Sequence, residues 1–148
     1  MERWRQHGLG QFIHWGVYAI PGGFWEGKCY PGAAEWIRSW KEMPKDAYDS
    51  LYKQFNPTSF DAKAWAKQAR QMGANYMIFT TKHHDGFCLW PSKYTDYTIA
   101  HTPYKKDVVK QIVDAYTAEG IDVHLYFSII DWNHKGCLLY TSDAADEA

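Results

Sequence analysis

Neither sign of charge dominates this chain of 148 residues: Lys and Arg number 16, Asp and Glu number 17, and the net charge is −1. That balance excludes a surface that gathers polyanions by bulk charge, so no nucleic-acid partner is expected. Long apolar runs are missing too. No stretch approaches the roughly 20 residues that a membrane-spanning helix needs, so no membrane partner is expected. The opening Met1-Glu2-Arg3-Trp4-Arg5-Gln6 has no apolar core of a secretory signal, which leaves the compartment open. Cysteine is scarce. Cys29, Cys88 and Cys137 are odd in number and widely spaced, which supports neither a disulfide framework nor a zinc site. They read as small, partly buried thiols. No glycine-rich phosphate turn follows any predicted strand, which argues against a dinucleotide-binding fold.

What is present suits an ordinary globular domain: 46% apolar and 22% charged residues, in a chain long enough for a real core. Aromatic residues reach 18%. They pack cores, and their faces also stack on the C–H faces of sugar rings, so their abundance hints weakly at a carbohydrate.

Hydrophobic patterning gives the order strand, helices, strand, helix, strand. Phe12 to Tyr18 reads as a strand closed by Ile20-Pro21-Gly22-Gly23. Residues 22–43 read as a long loop with one helical turn near Glu35 to Trp40. Pro44 to Phe55 reads as a helix with Tyr48, Leu51, Tyr52 and Phe55 on one face and Pro44 in its first turn. Asp61 to Met72 reads as a second helix. Asp61 caps it, Phe60 and Trp65 form a hydrophobic staple, and Gly73 ends it. Its apolar face is Ala62, Trp65, Ala66, Ala69 and Met72. Asn75 to Thr81 is a near-continuous apolar strand, the pattern of a parallel strand covered on both sides. Asp107 to Glu119 is a third helix, followed by a strand from Ile121 to Ile130.

Repeated β–α units imply a parallel sheet. Polar clusters stand at the C-terminal ends of three strands: His14-Trp15-Gly16, Lys82-His83-His84-Asp85, and Tyr126 to Trp132. A (β/α)-barrel builds its active site there. The fold class expected is α/β, the N-terminal part of a (β/α)8-type barrel, incomplete because eight units need about 250 residues. Residues 1–136 are expected to form that portion, with about three strands. Residues 137–147 resemble the in-frame translation of a transposon adapter used in sequencing libraries, so 137–148 is expected to be a non-native tail.

The segment Lys82-His83-His84-Asp85-Gly86-Phe87 carries the most chemistry. Three readings stand: a metal site, a structural pair of histidines, or a polyhydroxyl ligand. Adjacent strand side chains face opposite ways, so His83 and His84 cannot chelate one ion from a regular strand. Only His83 and Asp85 would share a face. A polyhydroxyl ligand fits better, because neutral imidazoles both donate and accept hydrogen bonds. His14 at a strand end is either a core histidine or a second such contact. Glu35-Trp36 in the long loop is either an exposed carboxylate beside a packing indole, or a sugar contact in which Trp36 covers a ring face and Glu35 accepts hydroxyls.

Gln11-Phe12-Ile13-His14-Trp15-Gly16-Val17-Tyr18-Ala19-Ile20-Pro21 resembles the opening of the α-L-fucosidases, a retaining glycoside hydrolase family. Thr80-Thr81-Lys82-His83-His84-Asp85-Gly86-Phe87-Cys88-Leu89-Trp90 is similar to that family's most recognisable internal motif. Ser92-Lys93-Tyr94-Thr95-Asp96 and Lys105-Lys106-Asp107-Val108-Val109 continue it. The resemblance covers residues 3–134. Gln11 and Lys105-Lys106 depart from the usual pattern.

The resemblance implies an exo-hydrolase of terminal α-L-fucosyl groups on oligosaccharides or glycoconjugates, acting with retention and with no metal or other cofactor. It implies that His14, His83 and His84 bind fucose hydroxyls, that Tyr126 lines the pocket, and that Glu35 and Trp36 reach the sugar. Glu35 is also the catalytic acid/base candidate. The nucleophilic Asp of the family follows a later strand beyond Trp132, so this chain is expected to supply part of the fucose pocket and to be inactive alone. Asp85 and Asp131 are expected to be structural or to orient histidines. The alternatives are a metal-dependent barrel hydrolase built on His83, Asp85 and His14, and a non-catalytic sugar-binding chain.

Overall fold

The structure, a computed structural model, describes residues 7–40, 43–134 and 136. Cys137 and the expected tail 137–148 lie outside the described residues. Among the described residues a parallel sheet has the order β1-β4-β5, with β1 Gly10–Ile13, β4 Tyr76–Lys82 and β5 Asp122–Phe127. Both pairings are parallel, as the β–α order predicts. The centre strand β4 becomes fully buried toward its C-terminal end.

Helix α2, Ala62–Gln71, begins as its sequence dictates. Asp61 Oδ1 accepts from the backbone N–H of Lys63 at 2.9 Å and of Ala64 at 3.1 Å. The staple rings of Phe60 and Trp65 lie 4.9 Å apart. Ala66 and Ala69 are buried. Met72 departs from the expected face; it sits past the last helical residue and is 60% exposed. Helix α3, Val108–Ala118, packs on α2 and is capped by Asp107, with Val108, Ile112 and Tyr116 buried. Of the two described cysteines, Cys88 is buried and Cys29 is exposed.

Four boundaries differ from the expectation. The first strand stops at Ile13, not Tyr18, because the backbone at Gly16 folds tightly onto the Tyr18 ring and Val17–Ala19 form a 3-10 turn. The loop 22–43 contains a small antiparallel hairpin, β2 Phe24–Trp25 and β3 Lys28–Cys29, and a 3-10 turn at Ala34–Ser39. The helix expected over 44–55 is broken. Helix α1 spans Lys45–Asp49, and Leu51–Gln54 is a separate 3-10 turn. Ser50 Oγ donates to the Ala47 carbonyl at 2.7 Å, a side-chain bond that competes with the helical ladder. Pro44 stands at the cap with extended ψ rather than inside the first turn. Tyr48, Leu51 and Phe55 are nonetheless buried together. The last strand ends at Phe127. Ser128 N–H still bonds the Lys82 carbonyl, but its hydroxyl turns to the Ile130 carbonyl and the chain leaves the sheet.

Candidate active site

The C-terminal ends of the parallel strands lie side by side, so the polar residues after each strand converge. The pairing of β4 with β5 shifts register between Thr80 and Lys82. The strand geometry that would separate neighbouring side chains stops there. His83 and His84 follow the last strand residue, and their rings lie 4.3 Å apart. His14, just past β1, has its ring 5.6 Å from His83 and 6.1 Å from Tyr126. Tyr126 stacks on His83 at 5.8 Å. Trp36, on the 3-10 turn, meets His84 edge-on at 5.0 Å. Glu35, His14 and His83 bring ligand atoms within 4.8 Å of one another. The six residues singled out from sequence therefore form one cluster.

Burial pushes the His83 imidazole down to about 4, with His84 and then His14 adding to it. Burial lowers His84 as well, helped by Lys82. Both rings are neutral at pH 7 and offer hydrogen bonds rather than positive charge, which suits an uncharged polyol better than an anion. His84 has a defined tautomer. Its Nδ1 lies 2.5 Å from Ser128 Oγ, and Ser128 donates its one proton to the Ile130 carbonyl at 2.8 Å. Nδ1 must then be the donor, which leaves Nε2 with a free lone pair for a ligand hydroxyl. Ser128→Ala removes this restraint. The affinity for a polyol that bonds His84 is expected to fall by the roughly 1 kcal/mol of one hydrogen bond. Titration calorimetry checks the affinity, and the imidazole 15N shifts of His84 check the tautomer.

Asp85 is not where the metal alternative needs it. Its carboxylate is buried and accepts from the Tyr48 hydroxyl at 2.8 Å and from Phe87 N–H at 3.2 Å. Asp131 accepts from Lys82 Nζ at 3.0 Å and from the backbone N–H groups of Asn133 and His134. Of the two roles expected for these aspartates, structural or histidine-orienting, their contacts are structural: they brace the surrounding backbone, and Ser128 is the side chain bonded to His84. The carboxylate that does stand beside His14 and His83 is Glu35. These three donors, all within 4.8 Å of one another, could converge on a metal ion as well as on the hydroxyls of a sugar ring.

Sequence reading missed two further residues. Tyr18 lies against His83 at 5.8 Å, is buried, and its hydroxyl has no hydrogen-bond partner among the described residues. His83 Nδ1 is likewise buried and unpaired. Trp132, 2% exposed, packs on His84 at 5.2 Å and on Trp36 at 5.4 Å. Trp36 and Trp132 also border a depression of about 880 Å³ that continues past Ile129 and Ile130. No local pattern announces either contact; each depends on residues far apart in the chain.

The family model described as alpha-L-fucosidase matches residues 1–148. The chain belongs to the alpha-L-fucosidase family. It is 32% identical over 139 residues to alpha-L-fucosidase 1 of Arabidopsis thaliana, covering 91% of this chain and 23% of that protein. It is similar in structure to the GH29 alpha-L-fucosidase of Bacteroides thetaiotaomicron, with TM-score 0.87 and 60% identity over 90% of this chain and 30% of that one. A second structure from that bacterium is a trapped covalent intermediate in complex with 2-fluoro-fucosyl fluoride. It matches with TM-score 0.82 and 62% identity, over 85% of this chain and 29% of that one. The chain thus spans under a third of the length of these alpha-L-fucosidases.

Proposed function

We propose that this chain supplies the fucose-binding part of a retaining α-L-fucosidase that hydrolyses terminal α-L-fucosyl groups on oligosaccharides or glycoconjugates. The observation that carries the reading is the convergence of the neutral His83 and His84 with His14, Glu35 and Trp36 at one end of a parallel sheet. In this reading His14, His83 and His84 hydrogen-bond the ring hydroxyls. Tyr126 and Tyr18 wall the pocket, and Trp36 covers the apolar face of the sugar. Glu35 accepts a hydroxyl and is the carboxyl placed to move a proton.

Strands β1, β4 and β5 are the first strands of a (β/α)8 barrel, a reading supported by parallel pairing and by polar residues at the C-terminal strand ends. Retention needs two carboxyl groups about 5–5.5 Å apart. Glu35 is the one carboxylate grouped with the pocket histidines among the described residues. The nucleophilic carboxylate comes from a later strand, and the 148 residues by themselves are inactive. The covalent intermediate trapped in the Bacteroides relative supports a covalent route.

The test is hydrolysis of 4-nitrophenyl α-L-fucoside by the complete open reading frame that carries these residues, with the first-formed anomer followed by proton NMR. The expected product is α-L-fucose. A first-formed β anomer refutes retention. Hydrolysis that requires one tightly bound zinc per chain refutes the metal-free reading, and absence of hydrolysis refutes the activity.

A further inference from the structure

The pocket residues come from four separated segments: the end of β1, the turn Ala34–Ser39, the end of β4, and β5 with the chain just beyond it. The sheet alone does not set their relative positions, because Glu35 and Trp36 lie outside it. Arg38, two residues after Trp36, is 2% exposed. Its Nε and Nη2 donate to the two carboxylate oxygens of Asp49 on α1 at 2.6 and 2.8 Å, a planar two-point pairing. Asn133 Nδ2 donates to the same carboxylate at 3.1 Å. Asn133 N–H in turn donates to Asp131, which pairs with Lys82, the residue before His83. Between them, Trp132 N–H donates to the His84 carbonyl at 2.7 Å.

The polar chain closes. It runs from the Glu35–Trp36 turn through Arg38, Asp49, Asn133 and Asp131 to Lys82 and the histidines. Among the described contacts along it, Arg38 meets Asp49 and Lys82 meets Asp131.

We propose that Arg38, Asp49 and Asn133 are positioning residues, a clamp that fixes Glu35 and Trp36 against His83 and His84 and thereby sets the affinity of the pocket for its sugar. The sugar part of this inference rests on the proposed fucosidase function; the geometric part does not. Arg38 suits the role through its shape as well as its charge. A lysine keeps the charge but cannot make two parallel bonds to one carboxylate, so it does not fix the angle of the turn.

Two measurements test the clamp. The first reads geometry without sugar. The chain is labelled with 5-fluorotryptophan, and the 19F line of Trp36 is assigned with Trp36→Phe. In Arg38→Lys and Asp49→Asn that line is expected to move or broaden. An unmoved line overturns the proposal, whether or not the protein hydrolyses anything.

The second is kinetic, in the complete open reading frame. Arg38→Lys and Asp49→Asn are expected to raise KM for 4-nitrophenyl α-L-fucoside about tenfold with little change in kcat, the scale seen when orienting partners are lost. In a Trp36→Ala background the same changes are expected to raise KM by a clearly smaller factor, because only Glu35 is left for them to position. Equal factors in both backgrounds, or an unchanged KM in folded variants, overturn the proposal. If the Arg38 and Asp49 variants fail to fold, Asn133→Ala carries both measurements. It leaves the Arg38–Asp49 pair in place and is expected to shift the Trp36 line and raise KM about threefold, with a melting temperature lowered by a few degrees and the protein still folded. A parental line and KM in that variant overturn the clamp. Failure of the parent to hydrolyse the substrate counts against the fucosidase reading alone.

Discussion

Gly86→Ala is expected to destabilise the protein by about 3 kcal/mol or more, and to weaken sugar binding with it. Gly86 has φ +86°, a left-handed conformation that costs an alanine roughly 1–2 kcal/mol. Space is the larger problem. A Cβ at this position would run into the Asp131 carboxylate and against Asn133 Cβ. That carboxylate holds the Lys82 ammonium at 3.0 Å and the N–H groups of Asn133 and His134. Displacing it leaves Lys82, which is nearly buried, without its charge partner, a loss of several kcal/mol for a well-buried pair and less for this one, since Asp131 is partly exposed. The same movement pulls Trp132 off His84 and Trp36. Denaturant unfolding checks the stability, and fucose titration of whatever remains folded checks the pocket. A variant with parental stability would mean that the turn 131–134 does not rest on Gly86.

The second large effect is a pair of opposed pH dependences. Burial raises the Asp85 carboxyl from 3.8 to about 6, against the hydrogen bonds from Tyr48 and Phe87. A carboxyl raised in the folded state contributes stability below its unfolded value, and that stability is lost as pH rises through about 6. Burial lowers His83 from 6.5 to about 4. That contribution is present above 6.5 and is lost as pH falls through about 4. Each difference of a little over two pH units corresponds to about 3 kcal/mol. Between about pH 4 and 6 the two oppose each other, so the parent is expected to be nearly flat. His84 acts in the same direction as His83 and leaves a slight rise with pH.

Asp85→Asn removes one arm, and stability then climbs from pH 4 to 6.5. His83→Gln removes the other, and stability then falls from about pH 4 to 6. Urea midpoints at half-unit pH steps read both slopes. Slopes of the same sign in the two variants would contradict the assignment.

These effects separate what the sequence could announce from what it could not. Helix α2 was legible because its signals are local: an aspartate cap, a staple five residues apart and a closing glycine. The centre strand β4 was legible from its apolar run and from the glycine before it. The six clustered residues were singled out through resemblance; chemistry alone left His83 and His84 divided between sugar, metal and structure. What remained hidden depends on distance along the chain. Ser128 fixes the His84 tautomer across 44 residues, and Asn133 reaches Asp49 across 84. No periodicity encodes such pairs. Boundaries failed for a related reason. Ser50 and Ser128 end their elements with side-chain hydrogen bonds that hydropathy patterns do not register.

Asp85 shows the same limit from the opposite side. Alternation within a strand put it on the face of His83. The strand ends at Lys82, however, and the carboxylate turns into the core toward Tyr48. The metal reading built on it lost its third ligand at that point, and Glu35 from the distant turn took the place beside His14 and His83.

In the proposed function, His14, Glu35, His83, His84 and Trp36 hold one fucose ring. A crystal structure of the complete open reading frame soaked with L-fucose tests it most directly. The predicted result is a fucose whose hydroxyls contact His14, Glu35, His83 and His84, with its apolar face on Trp36. Fucose bound elsewhere with this cluster empty, or a metal ion held by His14, Glu35 and His83 in place of the sugar, would contradict it.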